Sequence, residues 1–448
     1  MRRISIGKNF LTLGFVILLL ASNLGYAKTY YVDQNNTSAS DKNPGTADSP
    51  WLTISHAARK MTAGDTVQIR KGIYSESVTT VRKGNQQSGY IVFEGYPGER
   101  PVIDGKDVET SENGFIIGHS YIKLNGLVIR NWRGNGIWIE KAAHIEISDC
   151  EIHDVTYGIG VADGTHDFEL NRVEVHHFDL YGFDASPSGG KSCYNGFFND
   201  CIAHTGRDPS QNVDGFALGH GNQHGFVFNR CEAYGVSDGF DISARDTKLN
   251  RCAAHDCLNS GYKLWEDKIV LLNCLGYHNE SSNVELDWDQ QPGTVALWNC
   301  TFFDSGSYTI WVENGGDSLH MNNCILAGGN NSGLTFEQRD TNKYRGDYNI
   351  FHNDNPDRSI NVGYEDEFSL EQIAAGVWRR YSGQDMHSLV VTSKTKLFVS
   401  PKNFDLHLTP TSLAIDGGIS EGAPLVDFDG KRRDSSPDIG AFEYERGK

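Results

Sequence analysis

Short runs that alternate apolar and polar residues recur along the chain from residue 121 to residue 336. Four of the copies are HIEISDCEIHDVTYGIGV, HGFVFNRCEAYGVSDGFDIS, KIVLLNCLGYHNESSNVELD and TVALWNCTFFDSGSYTIWV. Each is rich in β-branched and aromatic residues and is interrupted by Gly, Asn, Asp and Ser, which predicts strands and turns. The period of roughly 20 to 30 residues is typical of solenoids. The pattern therefore predicts an all-β parallel β-helix, in which equivalent residues of successive coils stack about 4.8 Å apart.

Cysteines mark the register of the repeat. Seven of the nine cysteines occupy the same position in successive copies, and they are Cys150, Cys201, Cys231, Cys252, Cys274, Cys300 and Cys324. A column of like-pointing side chains on parallel strands has poor geometry for disulfides. We therefore expect buried free thiols, even though exported proteins usually form disulfides.

A C-x-x-H spacing in three of these copies resembles a zinc motif. The third residue after the cysteine is His153, His204 or His255 in those copies, but an aromatic residue such as Tyr234 or Tyr277 in others. Because histidine and tyrosine both occur at this position, the pattern favours a stacked aromatic ladder over a metal site.

Helical spacing appears only towards the two ends. LTISHAARKM at 52–61 predicts an amphipathic helix that caps the N-terminal end, and SLEQIAAGVWRR at 369–380 predicts a helix inserted in a long loop. The segment DFDGKRRDSSPDIGAFEYE, near the C-terminus, predicts the last coils. We expect one elongated domain over 28–448. It would comprise an N-terminal cap and first coils at 28–120, central coils at 121–345, and C-terminal coils and loops at 346–448.

The first 27 residues predict a secretory signal peptide, because basic residues precede the apolar run FLTLGFVILLLA and small residues follow it. We find neither a cysteine placed for a lipid anchor nor a later run of roughly 18 apolar residues. A secreted or periplasmic monomer without a membrane span is therefore expected. The formal net charge of −18 argues against nucleic acid as a partner.

Alignment of the copies on a Gly-aromatic step places acidic residues in two columns. The aligned segments are YGFD, DGFA, DGFD, SGYK and YTIW, at 181–184, 214–217, 238–241, 260–263 and 308–311. Asp214 and Asp238 share one column, whereas Asp184, Asp241 and Lys263 share another. The two columns point to opposite faces of a regular strand, so their convergence requires a bend, which the glycines permit.

Carboxylates gathered in this way must take up protons or hold a cation, and oxygen-only ligands favour calcium. The alternative for the aspartates is local bonding to turn backbone. Lysine can act as a general base where its surroundings lower its pKa, as a nearby divalent cation does. The alternative for Lys263 is a solvated side chain on an outer face.

The ordered segments VDGFALG, SDGFDIS and SGYKLW resemble the calcium and catalytic segments of polysaccharide lyase family 9, the pectate lyases with a right-handed parallel β-helix. The resemblance implies that Asp214, Asp238 and Asp241 are calcium ligands and that Lys263 is the Brønsted base. The family commonly has aspartate where this chain has Ser237, and a hydroxyl is a weaker ligand. The implied reaction is β-elimination from a galacturonate unit of an acidic plant cell-wall polymer, either polygalacturonate or a rhamnogalacturonan backbone.

Further residues are candidates for binding that polymer. Arg230 and Arg251 occupy matching positions in adjacent coils and could pair with uronate carboxylates, although a structural turn ladder is the alternative. Trp265, Trp288 and Trp311 could stack on sugar rings or pack within the protein.

Other functions remain open at the level of the sequence. A β-helix glycoside hydrolase is one, because GHG at 219–221 resembles a polygalacturonase segment, although the NTD and RIK signatures of that class do not occur. A uronate epimerase would begin with the same proton abstraction. A non-catalytic polysaccharide-binding protein could use the same scaffold.

Overall fold

The computed structural model describes residues 27–109, 112–186, 190–219, 221–286, 293–313, 318–339 and 341–445. Residues 1–26 of the predicted signal peptide lie outside these ranges. None of the helices within them is long and apolar enough to cross a membrane.

The fold is the predicted right-handed parallel β-helix, in which a full coil contributes one strand to each of three faces. We call these faces the first, second and third sheets, in chain order. Within the described residues, the first sheet pairs the parallel strands Thr29–Val32, Thr66–Ile69, Ile91–Gly95, Ile122–Asn125, Ala143–Ser148, His166–Asn171, Tyr194–Asn199, Val227–Asn229, Lys248–Asn250, Ile269–Leu272, Thr294–Trp298, Ser318–Asn322 and Tyr344–Asp347.

Three long strands bend through both the second and the third sheet, and they are Val128–Glu140, Glu151–Ala162 and Glu174–Ala185. The other strands of the second sheet are Ile73–Tyr74, Val102–Asp104, Ile202–His204, Glu232–Tyr234, Ala253–His255, Leu275–Tyr277, Thr301–Phe303, Ile325–Ala327, Ile350–His352 and Leu389–Val390. Those of the third sheet are Val78–Thr79, Phe115–Ile117, Asp214–Leu218, Phe240–Ile242, Ser260–Leu264, Ser282–Leu286, Tyr308–Val312, Ser332–Phe336 and Ile360–Val362. An antiparallel strand, Asp366–Phe368, follows the last of these.

Like residues stack on like residues inside the coils. The seven column cysteines are all buried and free, as predicted. In the third sheet, the rings of Phe183, Phe216, Phe240 and Tyr262 stack in sequence at centroid distances of 4.7, 4.8 and 5.2 Å. This stacking contributes area burial and favourable ring geometry in these four coils.

The predicted aromatic ladder also forms. Rings stack in the order His153, His176, His204, Tyr234, His255 and Tyr277, at centroid distances from 4.6 to 5.2 Å. Histidines of this ladder also contact neighbouring glutamates, as His255 Nε2 does with Glu232 Oε1 at 3.0 Å.

Both ends differ in detail from the expectation. The N-terminal helix, Ile54–Lys60, forms with Thr53 as its N-cap. Residues 369–380 form two helices, Leu370–Ala374 and Val377–Ser382, because Gly376 adopts a left-handed φ of 74° between them. The remaining elements are the 3₁₀ helices Lys394–Lys396 and Pro401–Asn403 and the antiparallel strands Phe398–Ser400 and Asp405–Leu408.

The prediction of terminal coils near the C-terminus is wrong. After Leu408 the described residues form turns and bends, and they run back along the outside of the second sheet. Asn273 Nδ2 donates to the carbonyl of Val426 at 2.9 Å, and the backbone N–H of Ala441 donates to Thr301 Oγ1 at 2.9 Å. The segment covers an apolar outer face of that sheet and removes it from water.

The cysteine column gives a direct test of the fold. Because all nine cysteines are buried and unbridged, we expect nine thiols to react with a thiol reagent in denaturant without reductant, and almost none under native conditions. Fewer than nine reactive thiols in denaturant would indicate disulfides and would contradict the stacked arrangement.

Candidate active site

The register of the third sheet brings the predicted lysine and one predicted aspartate side by side. Asp241 pairs with Lys263 in the next strand, and Lys263 pairs with Glu285 in the strand after that. We call this column of residues the lysine row, and within the central coils it contains Asp184, Ala217, Asp241, Lys263, Glu285 and Trp311.

A glycine column at the start of the third sheet provides the required bend. A Cβ on Gly215 would lie 2.6 Å from the carbonyl oxygen of Gly239 and 3.0 Å from Ala233 Cβ, and Gly239 meets the next coil in the same way. Only glycine permits so close an approach between the backbones of successive coils. The bend falls between the column of Asp214 and Asp238 and the lysine row.

The bend places the two acidic columns within electrostatic reach of each other. Burial, followed by the charges of Asp238 and Asp241, raises the pKa of Asp214 to about 8. Burial, followed by the charge of Asp241, raises the pKa of Asp238 to about 6. The Lys263 ammonium opposes both increases. The predicted aspartates and the lysine therefore form one electrostatic cluster.

Asp214 and Asp238 are almost fully buried and are held by local donors. Asp238 Oδ1 accepts hydrogen bonds from the backbone N–H of Ser260 at 2.8 Å and from Asn259 Nδ2 at 2.9 Å. Asp214 accepts hydrogen bonds from the backbone N–H of Asp238 and from Asn212 Nδ2, each at 3.2 Å. These bonds fix the carboxylates, but burial still makes their ionised forms costly.

Lys263 is held between an acid and an indole ring. Its Nζ lies 3.9 Å from Glu285 Oε1 and 4.7 Å from the ring centroid of Trp265. The indole Nε1 of Trp265 in turn donates to Asp241 Oδ1 at 2.6 Å. The side chain of Lys263 is 19% exposed, which argues against the alternative of a solvated side chain on an outer face.

The sequence reasoning missed Glu285. This residue is buried, and its Oε2 accepts a hydrogen bond from Ser260 Oγ at 2.5 Å. The signal was present, because SNVE at 282–285 occupies the same strand positions as SGYK at 260–263.

The donor chemistry of the cluster fits calcium, since its ligand atoms are carboxylate and hydroxyl oxygens. The raised pKa values of Asp214 and Asp238 also show carboxylates that a cation would stabilise in the ionised form. Ser237 is buried beside Asp238, and its backbone N–H donates to the carbonyl of Val213 at 2.7 Å. Within the described ranges, no three His, Cys, Asp or Glu side chains already converge as a metal-holding group.

The structure does not bring Arg230 and Arg251 to the lysine. Both lie in the turns between the first and second sheets with φ of 54° and 58°. Arg230 pairs with Asp200 through Nε and Nη2 at 2.6 and 2.7 Å, and Arg251 Nε donates to the carbonyl of Phe428 at 2.6 Å. These contacts support the structural turn ladder.

Trp265 lies beside Lys263 and Asp241 and contacts both, which supports a positioning role, whereas its contact with substrate stays a prediction. Trp288 and the histidine of the GHG segment, His220, lie outside the described residues.

Comparison with known proteins places the chain in a family. A family model described as the Pel9A-like, right handed beta helix region matches residues 30–323, which include every candidate site residue from Asp214 to Trp265. The chain belongs to the Pel9A-like β-helix family. The resemblance to polysaccharide lyase family 9 is thereby confirmed at the level of the family.

The similarity of this Pel9A-like chain to individual proteins is low. The uncharacterized protein YwoF of Bacillus subtilis is 32% identical over 147 residues, which are 30% of this chain and 31% of that protein. Pectate lyase PEL9 of Emericella nidulans is 27% identical over 208 residues, or 45% of this chain and 47% of the relative. The matches thus span about a third and about half of these relatives. The crystal structure of pectate lyase Pel9A shares the fold, with a TM-score of 0.57 at 16% identity over 94% of this chain and 98% of that one.

Asp184 gives a prediction about stability. Burial raises its pKa to about 6, although Ser186 Oγ donates a hydrogen bond to it at 2.6 Å. Because the folded state binds this proton more tightly than the unfolded state, stability should fall as the pH rises from about 4 to about 6, by about 3 kcal/mol. In Asp184→Asn this loss should be absent. Urea unfolding of both proteins between pH 4 and pH 8 measures it, and parallel pH dependences would contradict it.

Proposed function

We propose that this Pel9A-like protein is a calcium-dependent polysaccharide lyase that cleaves galacturonate-containing pectic polymers by β-elimination, acting as a secreted or periplasmic monomer. The observation that carries the proposal is the lysine row, in which Lys263 lies between Asp241 and Glu285 and beside the buried carboxylates of Asp214 and Asp238. An amine placed in this way suits proton abstraction next to a carboxylate group. The relative named pectate lyase PEL9 supports the same class of substrate.

In the proposed reaction the Lys263 amine removes the C5 proton of a galacturonate unit. The electron pair of the C5–H bond forms the double bond between C4 and C5, and the C4–O bond breaks. The glycosidic oxygen leaves with the electron pair of that bond and takes up a proton. One product has a 4,5-unsaturated uronate at its non-reducing end, the other has a new reducing end, and no water is consumed.

The residues around Lys263 orient the amine for this step. Glu285 approaches the ammonium from the following coil, and the Ser260 hydroxyl fixes the other oxygen of its carboxylate. The Trp265 ring lies along the amine and restricts water on that side. A side chain restrained on two sides loses little further entropy when the substrate binds.

Calcium, when bound, would neutralise the uronate carboxylate and make the adjacent proton more acidic. Asp214, Asp238 and Asp241 would hold it, with Ser237 as a weaker oxygen ligand. Asp214 and Asp238 would then bind as carboxylates rather than carboxylic acids, since a nearby cation favours the ionised form.

Ultraviolet absorbance of unsaturated uronate tests the proposal. We expect absorbance to increase with polygalacturonate or rhamnogalacturonan in the presence of calcium, and to stop increasing after a chelator is added. Lys263→Ala should lower kcat by about 10³-fold or more, because a general base is lost. Lys248→Ala, on the first sheet, is the matched control.

Unchanged activity in Lys263→Ala would contradict the mechanism. Reducing ends released without absorbance would indicate a hydrolase, and solvent deuterium gained at C5 without chain cleavage would indicate an epimerase. Binding of the polymer with neither change would indicate a non-catalytic protein.

The position of Glu285 predicts a selective effect on turnover. Glu285→Gln keeps the size of the side chain but weakens the contact that orients the Lys263 amine, so we expect kcat to fall by about 10-fold to 100-fold with KM changed less than about threefold. Steady-state kinetics at saturating calcium measure both constants. Glu174→Gln, in the second sheet, serves as the control. A rise in KM at constant kcat would instead assign Glu285 to ground-state binding of the substrate.

A further inference from the structure

The lysine row changes from acidic to aromatic on its C-terminal side. Glu285 pairs with Trp311 in the next strand, so Trp311 lies two coils beyond Lys263 on the same face, about 10 Å away. The neighbouring column changes in the same coil, where Ser282 pairs with Tyr308. Both columns that hold carboxylates at Asp238 and Asp241 therefore hold aromatic rings three coils later.

Three aromatic side chains meet at this point. The rings of Tyr308 and Trp311 stack with a centroid distance of 5.5 Å and an interplanar angle of 30°. Tyr364 belongs to the same corner, where its Oη donates to Glu337 Oε1 at 3.3 Å and where burial, followed by the charges of Glu337 and Tyr308, raises its pKa. Tyr364 is nevertheless 50% exposed, unlike the core ring of Phe216, which is fully buried. Part of this aromatic surface therefore faces solvent.

Beyond these rings the lysine row is buried. The next two positions of the row, Thr335 and Asn361, are buried. Tyr364 lies in the turn between the antiparallel strands Ile360–Val362 and Asp366–Phe368.

The turn that carries Tyr364 is anchored to the preceding coil. Arg339 pairs with Glu365 at 2.7 Å and with Asp366 at 2.8 Å, and Tyr364 Oη donates to Glu337 Oε1 at 3.3 Å. These ion pairs and this hydrogen bond therefore hold the turn that carries the Tyr364 ring. An anchored ring gives a preformed surface that loses little entropy on binding.

We propose that Tyr308, Trp311 and Tyr364 form a sugar-binding platform that stacks against the apolar face of a pyranose ring and ends the polymer groove on the C-terminal side of Lys263. The inference rests on the proposed function, since it assumes that the polymer lies along the lysine row. Partly exposed aromatic side chains offer a large rigid contact area at low entropic cost. The nearby carboxylates of Glu285 and Glu337 disfavour a close approach of a uronate carboxylate, so the ring face is the surface recognised.

Polymer binding by the inactive Lys263→Ala variant, called the parent below, tests the platform without any contribution from catalysis. In the Lys263→Ala background, calorimetry with polygalacturonate and calcium should show that Trp311→Ala weakens binding by about threefold to tenfold, the range expected for one aromatic contact. Trp311→Phe, which retains a ring, should recover most of the affinity. Tyr364→Ala, at a half-exposed position, provides a second measurement if Trp311→Ala does not fold. Phe197→Ala is the control, since Phe197 is an exposed ring on the first sheet.

Substrate length provides the second measurement. In the active enzyme, Trp311→Ala should lower kcat/KM for long oligogalacturonates and leave it unchanged for the shortest cleaved oligomer. Equal binding by the parent and both alanine variants, or no binding by the parent, would overturn the platform. An equal loss of kcat/KM at every length would also overturn it. If the platform is overturned but the unmutated protein still forms unsaturated product, the proposed function stands. If the unmutated protein forms no unsaturated product, the proposed function itself is contradicted.

Discussion

Parallel, in-register hydrogen bonding between successive coils is the constraint on which the rest of this structure depends. Each strand satisfies its backbone groups through the coils before and after it, so a shift of one residue would move every side chain to the wrong face. Interior positions therefore repeat their chemistry from coil to coil, as Phe216 and Phe240 do. The glycine column is part of the same constraint, because Gly215 and Gly239 allow the backbones to approach at the bend.

The lysine row departs from this repetition of like residues, and the departure explains its electrostatics. Asp241, Lys263 and Glu285 alternate in charge along the stacking direction, so neighbouring side chains attract each other. Asp214 and Asp238 lack such alternation, and their burial raises their pKa values to about 8 and about 6. These two buried aspartates therefore lower the stability of the folded protein. Destabilising groups of this kind are typical of functional sites.

Much of this site could be predicted because the Gly-aromatic step aligns the coils, and that alignment places Lys263 beside Asp241. Glu285 was missed because its coil has Asn283 and Val284 where the other coils have glycine and an aromatic residue. The contact of Arg251 with Phe428 could not be predicted, since it joins residues 177 positions apart through a segment without periodicity. Such contacts form where the outer face of a sheet is apolar, and the repeat pattern does not show which outer face this is.

The residues on the outer faces of the solenoid therefore determine which groups are available for reaction, whereas the interior residues determine the fold. The C-terminal segment covers the second sheet, but the third sheet remains accessible at Lys263 and at Trp311. Substitutions along the lysine row leave the core columns intact, so the same scaffold can carry different reactions. This separation explains why a shared fold at 16% identity says little about substrate. The order of acid, amine, acid and indole along one row of the third sheet is therefore what the proposed lyase activity depends on, and the coils alone do not provide it.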